Sequence, residues 1–162
     1  MIIYKEKDML ESSITYILLR TFPESIVLVL SGLILLGIKI DTKNVMKKGM
    51  LLGILITFIR LLPINFGVHT ILSMIVVEII LYKSSENQLV KSMISTFMIW
   101  ISLALSEGIY ILIATGIFKI PFDKLANNKS LYGALTTLPS LLILIGIVFI
   151  FKAIIKKINT LM

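Results

Sequence analysis

"MISTFMIWISLALSEGIYILIATGIF", residues 93–118, carries a single charged side chain, Glu107. About 20 apolar residues in a helix cross a hydrocarbon core of roughly 30 Å, so this run is long enough to span a membrane with some tilt. The whole chain agrees with that reading. Of its 162 residues 57% are hydrophobic and 15% charged, against about 45–50% and 25% in ordinary globular proteins, and the mean hydropathy is +1.02. The charges gather into short segments between apolar runs, as they do in a polytopic membrane protein.

Working outward from that run, the sequence predicts an all-α membrane protein, a single domain over 1–162 built as a bundle of about five transmembrane helices. The spans are expected at 22–38, 45–62, 68–83, 93–118 and 133–155. Thr21, Pro23 and Glu24 read as a capping box with proline in the first turn of the first span. The preceding "SITYILLR" is then a short interfacial helix, or else the start of one long helix kinked at Pro23. The second span stops at Pro63 and the chain turns through 63–67. The third is short, so that it either draws on Lys83 by snorkelling or forms a re-entrant hairpin with the second. The fifth carries Pro139 in its first half.

Lys and Arg are retained on the cytoplasmic side of bacterial membranes. Lys39, Lys43, Lys47, Lys48, Lys83, Lys91, Lys152, Lys156 and Lys157 fall in one alternate set of segments, facing only Asp41 and Glu86. The opposite set has Lys5, Lys7, Lys119, Lys124 and Lys129 among Glu6, Asp8, Glu11 and Asp123. The expected orientation in the inner membrane is N-terminus outside and C-terminus cytoplasmic. The formal charge of +7 is distributed at the ends of spans, unlike the one-sided basic face of a nucleic-acid binder. No nucleic-acid partner is expected.

Charged groups inside a span cost about 2.5–3.5 kcal/mol each at a helix centre, so each is a functional candidate. These are Glu24, Arg60, Glu78 and Glu107, with Arg20 and His69 near an interface. At about 1.5 Å per residue, Glu24, Arg60 and His69 reach a similar outer depth in three consecutive spans, where Arg60 is placed to pair with Glu24. The polar stretch "IRLLPINFGVHTIL", residues 59–72, adds Asn65, and together these groups suggest an outer pocket. Glu78 and Glu107 lie deeper with no basic partner expected at their depth, and a carboxyl left alone in lipid is expected to be neutral. The bland readings are specific: Arg60 snorkels, His69 caps a helix, Glu24 is only the capping acid. Ser95, Ser102, Ser106 and Tyr110 share one helix face, which reads as packing surface, and "GMLLG", residues 49–53, supports close helix contact or dimerisation. Trp100, inside a span, is expected to pack.

Catalysis is not expected. The chain has no cysteine and one histidine, and it lacks HExxH, GxSxG and a glycine-rich phosphate loop, so neither a metal nor a cofactor is expected. "RLLPINFGVHTILSMIVVEIIL", residues 60–81, resembles the membrane-spanning sensor region of Firmicute, especially clostridial, sensor histidine kinases. Pro63, Phe66, Gly67, His69 and Thr70 carry the likeness, with Glu24 a looser match. No phosphoacceptor helix or ATP-binding module follows "FKAIIKKINTLM" here, so the resemblance implies a sensor-like membrane module, free-standing or a fragment of a longer chain, and implies no kinase activity. Its candidate ligand-binding residues are Glu24, Arg60, Asn65, His69, Glu78 and Glu107. Its expected partners are the lipid bilayer and a homodimer or a histidine kinase or regulator. Two other classes fit the composition: a substrate-binding membrane subunit of an importer, and a non-catalytic assembly factor.

Overall fold

A computed structural model describes residues 17–62, 66–121 and 137–161. Helix α1, Phe22–Leu36, is entered through a π-helical turn, Ile17–Thr21. It is followed by α2, Thr42–Leu61, α3, Phe66–Ser84, α4, Leu89–Gly116, and α5, Pro139–Leu161. Leu19–Leu36, Gly67–Ser84, Leu89–Gly116 and Pro139–Lys157 are each long and apolar enough to cross a membrane. Helix α2 falls short of that composition because Lys43, Lys47 and Lys48 occupy its first two turns and Arg60 its last.

The entry to α1 differs from the expected capping box. Thr21 has helical dihedrals and makes no side-chain cap. Pro23 has no N–H to offer the carbonyl one turn back, and a widened π turn absorbs the missing bond. The helical path therefore runs through 17–21, in keeping with a long helix modified at Pro23, while the segment before Ile17 lies outside the described residues. At its other end α1 stops on Gly37, whose φ of 73° is left-handed. Gly37 N–H donates to Ile34 O and Ile38 N–H to Leu33 O, the paired closure that favours glycine at this position. Asp41 then starts α2, its carboxylate accepting from the Lys43 N–H at 3.2 Å.

Pro139 opens α5 instead of lying within it, where its missing N–H has no helical partner to lose. Residues 133–136 of the expected fifth span lie outside the described residues, as do 63–65 of the expected turn. Helix α3 reaches 19 residues, and the stretch of it long and apolar enough to cross, Gly67–Ser84, includes Lys83. Helix α4 begins four residues before the expected span, after a tight turn in which Glu86 and Asn87 both take positive φ.

Helix α1 is the centre of the bundle and packs against α2, α3, α4 and α5, while α2 meets α3, α3 meets α4 and α4 meets α5. Its small residues Ser25, Ser31 and Gly32 are buried, and that is what lets other helices come close. The core joins Leu28, Val29 and Leu33 of α1 to Leu52 and Ile56, Val77 and Leu81, Ile99 and Leu103, and Leu144 and Val148. Every helix except α1 turns large apolar side chains outward: Phe58 on α2, Ile71 and Ile75 on α3, Phe97 and Ile101 on α4, Leu142 and Phe149 on α5. A belt of that kind suits lipid rather than water.

The glycine pair of "GMLLG" is used within the chain. A Cβ on Gly49 would stand 2.7 Å from the Ile26 side chain and 2.8 Å from its Cα, and one on Gly53 would stand 3.0 Å from the Phe22 ring. These glycines let α2 lie directly on α1. Gly49→Ala therefore forces the two backbones apart and is expected to lower stability in detergent micelles by about 1–3 kcal/mol, read as a fall in thermal midpoint. Gly146→Ala, where nothing lies within 4 Å, is expected to leave the midpoint close to wild type.

Candidate functional site: a chain of four charges inside the bundle

The π turn at Ile17–Thr21 carries Arg20 into the bundle, where the residue is only 5% exposed. A buried guanidinium must have its N–H groups matched by acceptors, and each edge of Arg20 meets one. Its Nε lies 3.4 Å from Glu24 Oε2, one turn along the same helix. One Nη lies 2.8 Å from Glu107 Oε1 on α4. The other Nη donates to the Thr137 carbonyl and, at 3.4 Å, to Ser140 Oγ of α5. One side chain of the π turn that leads into α1 thus ties down α4 and α5 together.

Arg60 extends the cluster to α2. Its guanidinium donates to Thr21 Oγ1 at 2.8 Å and stands 3.9 Å from Glu24 Oε2. The charges form a line, Glu107, Arg20, Glu24, Arg60, with alternating sign and no net charge. The middle is dry and the ends are open: the Glu24 side chain is 12% exposed, but Arg60 is 37% and Glu107 45% exposed. Alternation lets each buried charge lie beside an opposite one, which offsets desolvation far better than a lone ion could.

Sequence reasoning placed these groups unequally well. Arg60 and Glu24 do meet, but as the longer contact, and the principal partner of Glu24 is Arg20. Glu107, expected to have no basic partner, has Arg20. Arg20 precedes the expected first span, but the helical path extends through it and it is buried in the bundle. The readable signal was Arg20 and Glu24 at a spacing of four, which sets an ion pair on one helix face. Thr21, assigned to capping, instead accepts from Arg60, and Thr137 and Ser140 carried no recognisable signal.

His69 has no bond to the line of charges. It is half-buried on α3, and its Nδ1 is shielded from solvent with no hydrogen-bond partner among the described residues. Asn65 lies outside the described residues. Glu78 belongs to a second polar centre at the far end of α3, where Ser92 and Thr96 of α4 bond its carboxyl. The hydroxyl face of α4 is buried as expected, with Ser95, Ser102, Ser106 and Tyr110 all against the bundle. Trp100 packs on the core. At the same end as Glu78, Lys48 of α2 donates to Ser84 Oγ of α3 at 2.8 Å.

No group of three or more His, Cys, Asp or Glu able to hold a metal occurs among the described residues.

Removing Arg20 strands Glu107 and leaves Glu24 only its 3.9 Å contact with Arg60, whereas removing Arg60 leaves Glu24 with Arg20. Arg20→Ala, which removes the contacts to Glu24, Glu107, Thr137 and Ser140 together, is expected to cost more than Arg60→Ala, which costs about 1 kcal/mol or less, as for a pair near a surface. Denaturation of both variants in the same micelles gives the order. Equal losses would mean that Arg20 is no more central than Arg60.

No protein-family model, no curated protein and no solved structure matches this chain.

Proposed function

We propose that this protein is a five-span integral membrane module of a bacterial signalling system, which binds a ligand or responds to membrane state at the Arg20 cluster and acts through a partner protein. The observation that carries the reading is that one line of charges joins α1, α2, α4 and α5 at one level, with its two terminal charges accessible. A ligand that replaces either terminal partner changes the contacts of four helices at once. Differential binding to two packings is all that a sensor requires. The likeness of residues 60–81 to the membrane-spanning sensor region of Firmicute sensor histidine kinases points the same way.

Helix α2 is proposed as the fifth span. It lies antiparallel on α1 from the Gly49–Ile26 contact to the Arg60–Thr21 bond, and its free face carries Met50, Leu51, Ile54 and Phe58. The lysine distribution puts the Arg20 end outside and the Lys48 end in the cytoplasm. The line of charges then lies about 24 Å along α1 from its cytoplasmic end, in the outer part of the hydrocarbon layer. The cytoplasmic end, with exposed Lys47 and Lys91, is the proposed surface for a histidine kinase, a regulator or a second copy of the chain.

The chain has no cysteine, so single cysteines report cleanly. With an impermeant thiol reagent on intact cells, Lys119→Cys is expected to label and Asn87→Cys to stay protected, and the reverse would overturn the orientation. A photocrosslinker in place of Lys47 or Lys91, in native membranes, is expected to trap one dominant partner whose yield changes when Glu107→Gln is added about 25 Å away. A diffuse product pattern, or a yield indifferent to Glu107→Gln, would overturn the sensor reading.

A further inference from the structure

The seam between α2 and α3 ends in a cation that no carboxylate matches. Lys48 of α2 is half-buried, and its ammonium donates at 2.8 Å to Oγ of Ser84, the last residue of α3. Ser84 in turn donates its own hydrogen to the Ile80 carbonyl at 2.6 Å. An ammonium has three hydrogens to place, and this bond uses one. Among the described residues no carboxylate pairs with Lys48. Asp41 caps the start of α2, and Glu86 is exposed beyond the end of α3. Glu78 lies about 9 Å deeper along α3, where Ser92 and Thr96 of α4 bond it.

Lys83 adds a second charge at the same level. It precedes Ser84 on α3 and is exposed. At about 100° per residue Lys83 and Glu78 lie roughly 140° apart around the helix, with Ser84, which meets α2, on the arc between their outer flanks and the core. Lys83 is therefore on the side of α3 away from α4. Below the two lysines the seam is apolar. Leu51 and Leu55 of α2, one and two turns below Lys48, are 51% and 36% exposed, and Ile79, one turn below Lys83, is 50% exposed. Ser84 also closes the stretch Gly67–Ser84 that is long and apolar enough to cross a membrane. An α3 that crosses there sets both ammonium groups at the level of lipid phosphates.

We propose that Lys48 and Lys83 bind the phosphate of an anionic phospholipid, with Ser84 holding Lys48 in place and an acyl chain lying along Leu51, Leu55 and Ile79. The site rests on the reading of α2 as the fifth span and is separate from the Arg20 cluster. Each ammonium meets the phosphate oxygens through charge-assisted hydrogen bonds. A zwitterionic headgroup brings an ammonium of its own, which the lysine pair repels, so the site selects a lipid of net negative charge. Held in the seam, that lipid joins α2 to α3 at the end opposite Arg60.

Native mass spectrometry of the intact chain released from micelles counts bound lipids, with phosphatidylglycerol added and phosphatidylcholine as reference. One phosphatidylglycerol is expected to be retained in preference to phosphatidylcholine. Its affinity is expected to fall about tenfold or more when Lys48→Gln and Lys83→Gln are combined, and to stay close to wild type when Lys152→Gln and Lys157→Gln remove the same charge from α5. Lys83→Gln alone alters an exposed residue, and its weaker binding serves if the pair does not fold. Equal loss from the two lysine pairs, or equal retention of both lipids, would overturn the proposal. A photocrosslinker in place of Leu51 in native membranes is expected to form a phospholipid adduct, and a protein adduct would overturn the lipid in favour of a protein partner. Labelling of Leu55→Cys by an impermeant thiol reagent in opened membranes would sink the span itself, whereas a protected Leu55→Cys with equal loss from both lysine pairs sinks only the lipid site.

Discussion

A guanidinium cannot be left without acceptors in a bundle that lipid surrounds, and the burial of Arg20 sets the terms on which this fold is assembled. Its planar fork takes acceptors in fixed directions, so Glu24 on α1, Glu107 on α4 and the Thr137–Ser140 segment at the start of α5 must stand where its N–H groups point. Apolar side chains in a membrane have little reason to prefer a neighbouring helix over lipid. Polar groups with no alternative partner do. The ion line therefore supplies register among helices that van der Waals packing alone would leave free to slide, and the glycines of α2 complete the job by letting that helix approach α1.

The membrane character and the positions of most helices were legible because a run such as residues 93–118 admits few other structures. The hydroxyl face of α4 was legible for a similar reason, since Ser95, Ser102, Ser106 and Tyr110 recur at helical spacing. Helix entries were not. Proline near the start of a helix reads the same whether it caps, widens or opens the helix, and only the tertiary contact of Thr21 with Arg60 separates these for Pro23. Glu107 reads as unpartnered because Arg20 lies before the expected start of the first span, whereas the helical path includes it and buries it against Glu107. Interhelical partners such as Ser140 and Ser92 depend on which faces meet, and a single sequence does not state that.

Helix α4 is common to both polar centres, carrying Ser92 and Thr96 near one end and Glu107 toward the other, with the Ile99 and Leu103 core between them. One helix thus meets a hydrogen-bonded carboxyl in each centre. At one centre Arg60 and Glu107 are partly exposed, and at the other the helix begins directly after the turn at Glu86–Asn87.

The most direct test of the account is a double-mutant cycle on Arg20→Met and Glu107→Gln, measured by reversible denaturation in a fixed micelle composition. If Arg20 and Glu107 form a part-buried pair that ties the entry of α1 to α4, the double variant recovers stability relative to the sum of the single changes, with a coupling above about 1 kcal/mol. Additive losses within about 0.3–0.5 kcal/mol would contradict the pair and, with it, the claim that Arg20 organises the bundle.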